Sequence, residues 1–161
     1  MHLPPLNLFL TLLAGIIPPL IWLKLWLKED VHPEPRRLIL TAFISGMIAV
    51  PFVIPLQGFV KGAVANAVTV VILWALIEET LKFLAGYYTA ITKKVNNEPI
   101  DPVMFMLTAA LGFAALENVL FIINPAMVGD LYTGLITSNL RFVGATLVHL
   151  VCSSAVGISL G

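Results

Sequence analysis

Residues 63–91 read AVANAVTVVILWALIEETLKFLAGYYTAI. The stretch is long and apolar enough to cross a bilayer, which takes roughly 20 residues of helix. Yet Glu78, Glu79 and Lys82 stand near its middle. Positions three and four apart share a helix face, so Lys82 can neighbour both glutamates. Each charge at the bilayer centre costs on the order of 2.5–3.5 kcal/mol on insertion scales. Such groups must face a bundle interior, pair with one another or bind an ion.

Four more apolar runs flank this one, at about Leu6–Leu27, Leu38–Leu56, Pro102–Ile123 and Asn139–Gly161. Pro18-Pro19 predicts a kink or break in the first. Pro51 and Pro55 lie near the end of the second, and Gln57, Gly58, Lys61 and Gly62 read as the turn after it. Asp101-Pro102 reads as an N-cap followed by proline at the first helical position. Residues 124–138 are more polar and read as partly re-entrant or helical. The expected fold is all-α: a polytopic transmembrane bundle of about five helices in one integral membrane domain, 1–161, with its motif-bearing core at 63–161. The chain ends at Gly161 without a polar tail, which leaves room for further C-terminal helices.

Composition agrees. Of 161 residues, 59% are hydrophobic and only 11% charged, with a mean hydropathy of +0.98. A soluble domain carries about 25% charged residues, so lipid is the expected solvent for much of this surface. The zero net charge gives no reason to expect a nucleic-acid partner. The single cysteine, Cys152, excludes an intrachain disulfide and a multi-cysteine metal site, and reads as a small buried apolar residue. No Lys or Arg precedes the first apolar run, so it reads as a retained helix rather than a cleaved signal. Lys24, Lys28, Arg36 and Arg37 mark the first loop, and Lys93 and Lys94 the third, as cytoplasmic. The expected location is the cell membrane, multi-pass, with the N-terminus extracytoplasmic.

Two further helices carry polar interruptions. The fourth has Gly112-Phe113-Ala114-Ala115-Leu116-Glu117-Asn118 and the fifth has His149-Leu150-Val151-Cys152-Ser153. At about 1.5 Å per residue, Glu78, Glu79, Glu117 and His149 fall at overlapping depths between the midplane and the outer leaflet. Singly, each has a plain structural explanation. Glu78–Lys82 can be a buried ion pair, Glu117-Asn118 can be interhelical glue, His149 a packing residue, and Ser153 a back-bond to its own helix. Arg141 reads as a headgroup-level residue. Trp22, Trp26, Tyr87, Tyr88 and Tyr132 read as interfacial or packing aromatics. Three interruptions in three helices favour a functional cluster. On residue chemistry alone, an ion- or proton-coupled transporter is the natural reading, because intramembrane Glu, Lys and His mark ion pathways.

The three motifs together resemble the PrsW family of intramembrane proteases, within the wider CAAX-protease and bacteriocin-processing superfamily. Glu78-Glu79-x-x-Lys82 matches the family's paired-glutamate motif. Gly112-Phe113-x-x-x-Glu117-Asn118 matches the second, with Glu117 where distant relatives carry histidine. His149-x-x-x-Ser153 matches the third, with serine in place of an amide or acid. The matched region runs from Glu78 to Ser153. The resemblance implies hydrolysis of a peptide bond in a membrane-anchored protein or peptide, such as an anti-sigma factor, on the extracytoplasmic side. It implies Glu78, Glu79, Glu117 and His149 as catalytic residues, supported by Lys82, Asn118, Ser153 and Arg141.

Two mechanisms fit these residues. In one, no cofactor is used: a glutamate, Glu78 by preference, is the general base, and Glu79 pairs with Lys82. In the other, a glutamate of the pair (Glu79), Glu117 and His149 ligate Zn²⁺ and leave a position for water. A Cys152–His149 dyad is disfavoured, because side chains three apart on one helix need not meet productively.

Overall fold

The structure, a computed structural model, describes residues 5–30, 32, 34–93, 97–127 and 131–161. The described residues are helical almost throughout, as apolar lipid demands. Backbone groups without water must be satisfied inside the segment. Helix α1 spans Pro5–Glu29 and α2 spans Arg36–Ala63. Helix α3 spans Ala67–Gly86 and continues as a π-helical turn, Tyr87–Ile91. Helix α4 spans Asp101–Met127. The last rod is α5, Leu131–Leu140, a π-helical turn, Arg141–Ala145, and α6, Thr146–Ile158. These five rods form the expected all-α membrane bundle. By length and composition, Leu8–Glu29, Arg36–Ala63 and Asp101–Ile123 can cross a bilayer.

Several boundaries differ from the sequence reading, each for a physical reason. Helix α1 continues through Pro18 and Pro19 rather than breaking there. Pro19 is fully buried, and tertiary packing holds the helix together where hydrogen bonds are lost. Helix α2 likewise runs through Pro51 and Pro55, so Gln57, Gly58, Lys61 and Gly62 are helical and not a turn. The turn falls at 64–66, where the Asn66 side chain accepts the Thr69 N–H at 3.0 Å and caps α3. Asp101 is the first residue of α4. Its carboxylate accepts the N–H groups of Asn97 and Glu98, both at 2.8 Å, so it ties down the preceding loop instead of capping the helix. The last rod begins at Leu131, which makes 131–138 helical.

Helix α4 is the axle of the bundle. Helices α1, α2 and α6 pack on it, while α3 lies mainly against α2. Phe105, Phe113, Leu107 and Leu111 of α4 are fully buried. The α2–α4 crossing is set by glycine. A Cβ on Gly46 would stand 1.9 Å from the Ala109 carbonyl oxygen, and one on Gly112 would stand 1.9 Å from that of Phe43. Both distances fall inside contact range, so only glycine permits this approach. Small residues serve the same purpose generally in membrane helix packing.

At one end of the bundle, His32 and Glu34 meet the residues at the start of α4. His32 Nδ1 lies 3.0 Å from Glu98 Oε1. Burial and the nearby Asp101 carboxylate raise the Glu34 carboxyl to about 7. A raised carboxyl pKa stabilises the fold at low pH. That contribution is lost as pH rises from the unfolded value of 4.5 through about 7. The melting temperature in detergent should therefore fall less steeply between pH 5 and pH 8 in Glu34→Gln than in the parent chain. Parallel curves would show that the carboxyl is not held this way.

Candidate functional site

The three polar interruptions meet in one place. Helix α3 brings Glu78, Glu79 and Lys82; α4 brings Glu117 and Asn118; the last rod brings Arg141, His149 and Ser153. Burial is severe. Lys82 and Ser153 are 0% exposed, Asn118 2% and His149 7%. Helical spacing makes this possible. Glu79 and Lys82 are three apart, as expected of one face, and Lys82 Nζ donates to Glu79 Oε1 at 2.5 Å. Ser153 donates to the other oxygen of Glu79, Oε2, at 2.8 Å. Its hydroxyl is thus committed to the cluster, not to its own helix.

A lysine ammonium has donors only, and Lys82 Nζ lies 2.9 Å from His149 Nδ1. That nitrogen must accept, so the ring proton sits on Nε2. Nε2–H then donates to Glu117 Oε2 at 3.0 Å. The Phe113 ring packs against the imidazole at 5.4 Å and 65°, and beneath Lys82 Nζ at 4.8 Å, so it fixes both groups sterically. Arg141 donates through a terminal nitrogen to Glu117 Oε2, and through Nε to Asn118 Oδ1 at 2.6 Å. The residue read as headgroup-level therefore belongs to the cluster. The Phe121 ring lies 4.0 Å from its guanidinium carbon.

Glu78 is held differently. Its Oε1 accepts from Gln57 Nε2 at 2.7 Å, and its Oε2 stands 4.0 Å from His149 Nδ1, beyond hydrogen-bond range. Gln57 escaped the sequence reading because it lay in the presumed turn. Extending the second apolar run to residue 63 would have shown it as a fourth polar interruption. Trp74 Nε1 donates to the Gln57 carbonyl at 3.0 Å and steadies that end of α2. Beside Gln57 and Glu117 opens a cleft of about 250 Å³, walled by Val50, Val53, Phe113 and Phe121.

Among the described residues, Glu78, Glu117 and His149 offer ligand atoms that all lie within 4.8 Å of one another. The sequence reading put Glu79 in this set. The structure puts Glu78 there, because Lys82 and Ser153 hold both oxygens of Glu79. The donors fit a metal: two carboxylates and an imidazole leave one position open, as in catalytic zinc sites. Charge agrees, since three carboxylates face only two permanent cations, Lys82 and Arg141. Cys152, read as buried, is exposed, which removes any dyad with the buried His149.

The profile described as "PrsW family intramembrane metalloprotease" matches residues 34–161. Protease PrsW of Geobacillus kaustophilus (strain HTA426) is 28% identical over 123 residues, which cover 72% of this chain and 53% of the relative. Protease PrsW of Shouchella clausii (strain KSM-K16) is 28% identical over 153 residues, or 92% and 67%. Protease PrsW of Bacillus subtilis (strain 168) is 23% identical over 158 residues, or 96% and 67%. The chain thus spans between about half and two thirds of these relatives. No solved structure matches.

Proposed function

Because the chain belongs to the PrsW family of intramembrane metalloproteases, we propose that it hydrolyses a peptide bond of a membrane-anchored protein, with Glu78 as the general base. The observation that carries this reading is the convergence of Glu78, Glu117 and His149 beside an apolar cleft. Peptide hydrolysis needs an activated water, a stabilised oxyanion and a proton for the leaving amine. Glu78 Oε2 takes the proton of a water held between it and Glu117. The water oxygen attacks the scissile carbonyl carbon. The resulting oxyanion draws the Nε2–H of His149 and the guanidinium of Arg141 away from Glu117. Glu78 then returns its proton to the nitrogen as the C–N bond breaks. Glu79, Lys82 and Ser153 position His149 without meeting substrate. Gln57 holds the base in place.

Anti-sigma factors are the substrate class this family suggests. The basic residues around the α1–α2 loop favour a cytoplasmic position for that end of the bundle. That orientation supports a cluster toward the extracytoplasmic side and a cut on that side. Family membership favours this reading over an ion or proton relay.

The donor convergence supports a second reading, in which Glu78, Glu117 and His149 hold zinc. Bound zinc would supply Lewis-acid polarisation and a water acidic enough to ionise near neutral pH. Metal analysis of protein dialysed against chelator, with cleavage of a membrane-anchored reporter measured in parallel, separates the two. The base reading expects cleavage to persist at well under one metal per chain. Loss of cleavage that added Zn²⁺ restores would establish coordination instead. In either case His149→Ala should abolish cleavage while leaving insertion intact. Undiminished cleavage by that variant would overturn the proposed site.

A further inference from the structure

Helices α1 and α2 both pack on α4 rather than on each other. At the end where they join, they leave a groove of about 630 Å³ between them. Its walls are aliphatic and aromatic, with Leu20 of α1 and Leu40 of α2 exposed at its lips and Phe43 buried at its base. Its volume lies within the roughly 300–1,000 Å³ typical of small-molecule sites. One end differs in character. Lys24 and Lys28, one turn apart on α1, and Arg36, the first residue of α2, all line it and are exposed. None of the three forms an ion pair with another described residue. Among the described residues that line the groove Glu34 is the one acid; Asp30, Glu98 and Asp101 lie near it, and burial with these neighbouring carboxylates raises its carboxyl to about 7.

An aliphatic slot that ends in three unpaired cations has the chemistry of a phospholipid turned end-on. We propose that this groove binds an anionic phospholipid, with an acyl chain between α1 and α2 and the headgroup phosphate on Lys24, Lys28 and Arg36. Basic pockets between membrane helices hold anionic headgroups in the same manner. A second protein helix would fill the slot but would leave the cations without partners unless it carried acids in register. The charge pattern therefore favours lipid.

Native mass spectrometry of the full chain, released from nanodiscs of phosphatidylglycerol or phosphatidylcholine, tests this. Phosphatidylglycerol adducts should survive at collision voltages that strip phosphatidylcholine. The triple variant Lys24→Gln/Lys28→Gln/Arg36→Gln should lose at least five-fold of the retained adduct. Lys61→Gln/Lys93→Gln, which removes cations outside the groove, should lose none. Leu40→Phe and Leu20→Phe, which narrow the slot and keep every charge, should also reduce retention. Equal retention of both lipids, or an undiminished adduct in the triple variant, would overturn the proposal. An undiminished adduct in both phenylalanine variants would place the lipid on the surface charges alone, and would overturn it equally.

Discussion

Glu78→Gln should lower the rate of cleavage of a membrane-anchored reporter by about 10²–10⁴-fold, the usual contribution of a positioned general base. The substitution is nearly isosteric and keeps an oxygen to accept from Gln57, so the bundle should survive it. Its amide cannot take a proton from water. Substrate binding in the cleft beside Gln57 and Glu117 should persist, so the loss should fall on turnover and not on capture. Crosslinking of the reporter to the inactive variant would show this separation. Glu79→Gln offers the informative contrast. Glu79 meets Lys82 and Ser153 and stands apart from the convergent donor set, so its loss should act through the position of His149. A Glu79→Gln variant more impaired than Glu78→Gln would exchange the two roles. Full activity in Glu78→Gln would end the assignment of the base.

Lys82→Met should be the most destabilising single change in the cluster. The side chain is 0% exposed and donates to both Glu79 and His149. Removing one partner of a buried ion pair costs about 3–5 kcal/mol, because the remaining charge stays buried and unpaired. Here the loss strands the Glu79 carboxylate and releases His149 Nδ1 together. Unfolding in mixed detergent micelles should show the drop, while Lys93→Met on the surface should stay within about 0.5 kcal/mol of the parent chain. The double variant Lys82→Met/Glu79→Leu should recover part of the stability, since it removes the stranded charge as well. It should recover no cleavage, because His149 still lacks the donor that sets its tautomer. A destabilisation of Lys82→Met under about 1 kcal/mol would mean that water or another cation reaches Glu79 in solution.

Much of this was readable before any coordinates. Runs of about 20 apolar residues report a bundle in lipid by length alone. Charges inside those runs report inward-facing groups, because lipid cannot solvate them. Local spacing put Lys82 beside both glutamates, and the structure pairs it with Glu79. Other features were misread where a local signal was overruled. Pro18-Pro19 looked like a kink or break, and Pro51 and Pro55 lay near the expected end of the second run, yet α1 and α2 continue, because the bundle and the absence of water favour an unbroken helix. That continuity is what delivers Gln57 to Glu78. Arg141 looked like a headgroup anchor because its partners, Glu117 and Asn118, are more than twenty residues away in the chain.

The sequence by itself led to a helical membrane protein with Glu78, Glu79, Lys82, Glu117 and His149 facing inward, in an order that resembles one family's motifs. It preferred Glu78 as base but put Glu79 in the metal set, because adjacent residues differ in direction by about 100° on a helix and either could face the third partner. Only the tertiary structure decided which glutamate stands with Glu117 and His149. Ser153 and Lys82 take up the oxygens of Glu79, and the approach of α3 to α4 and α6 leaves Glu78 with Glu117 and His149.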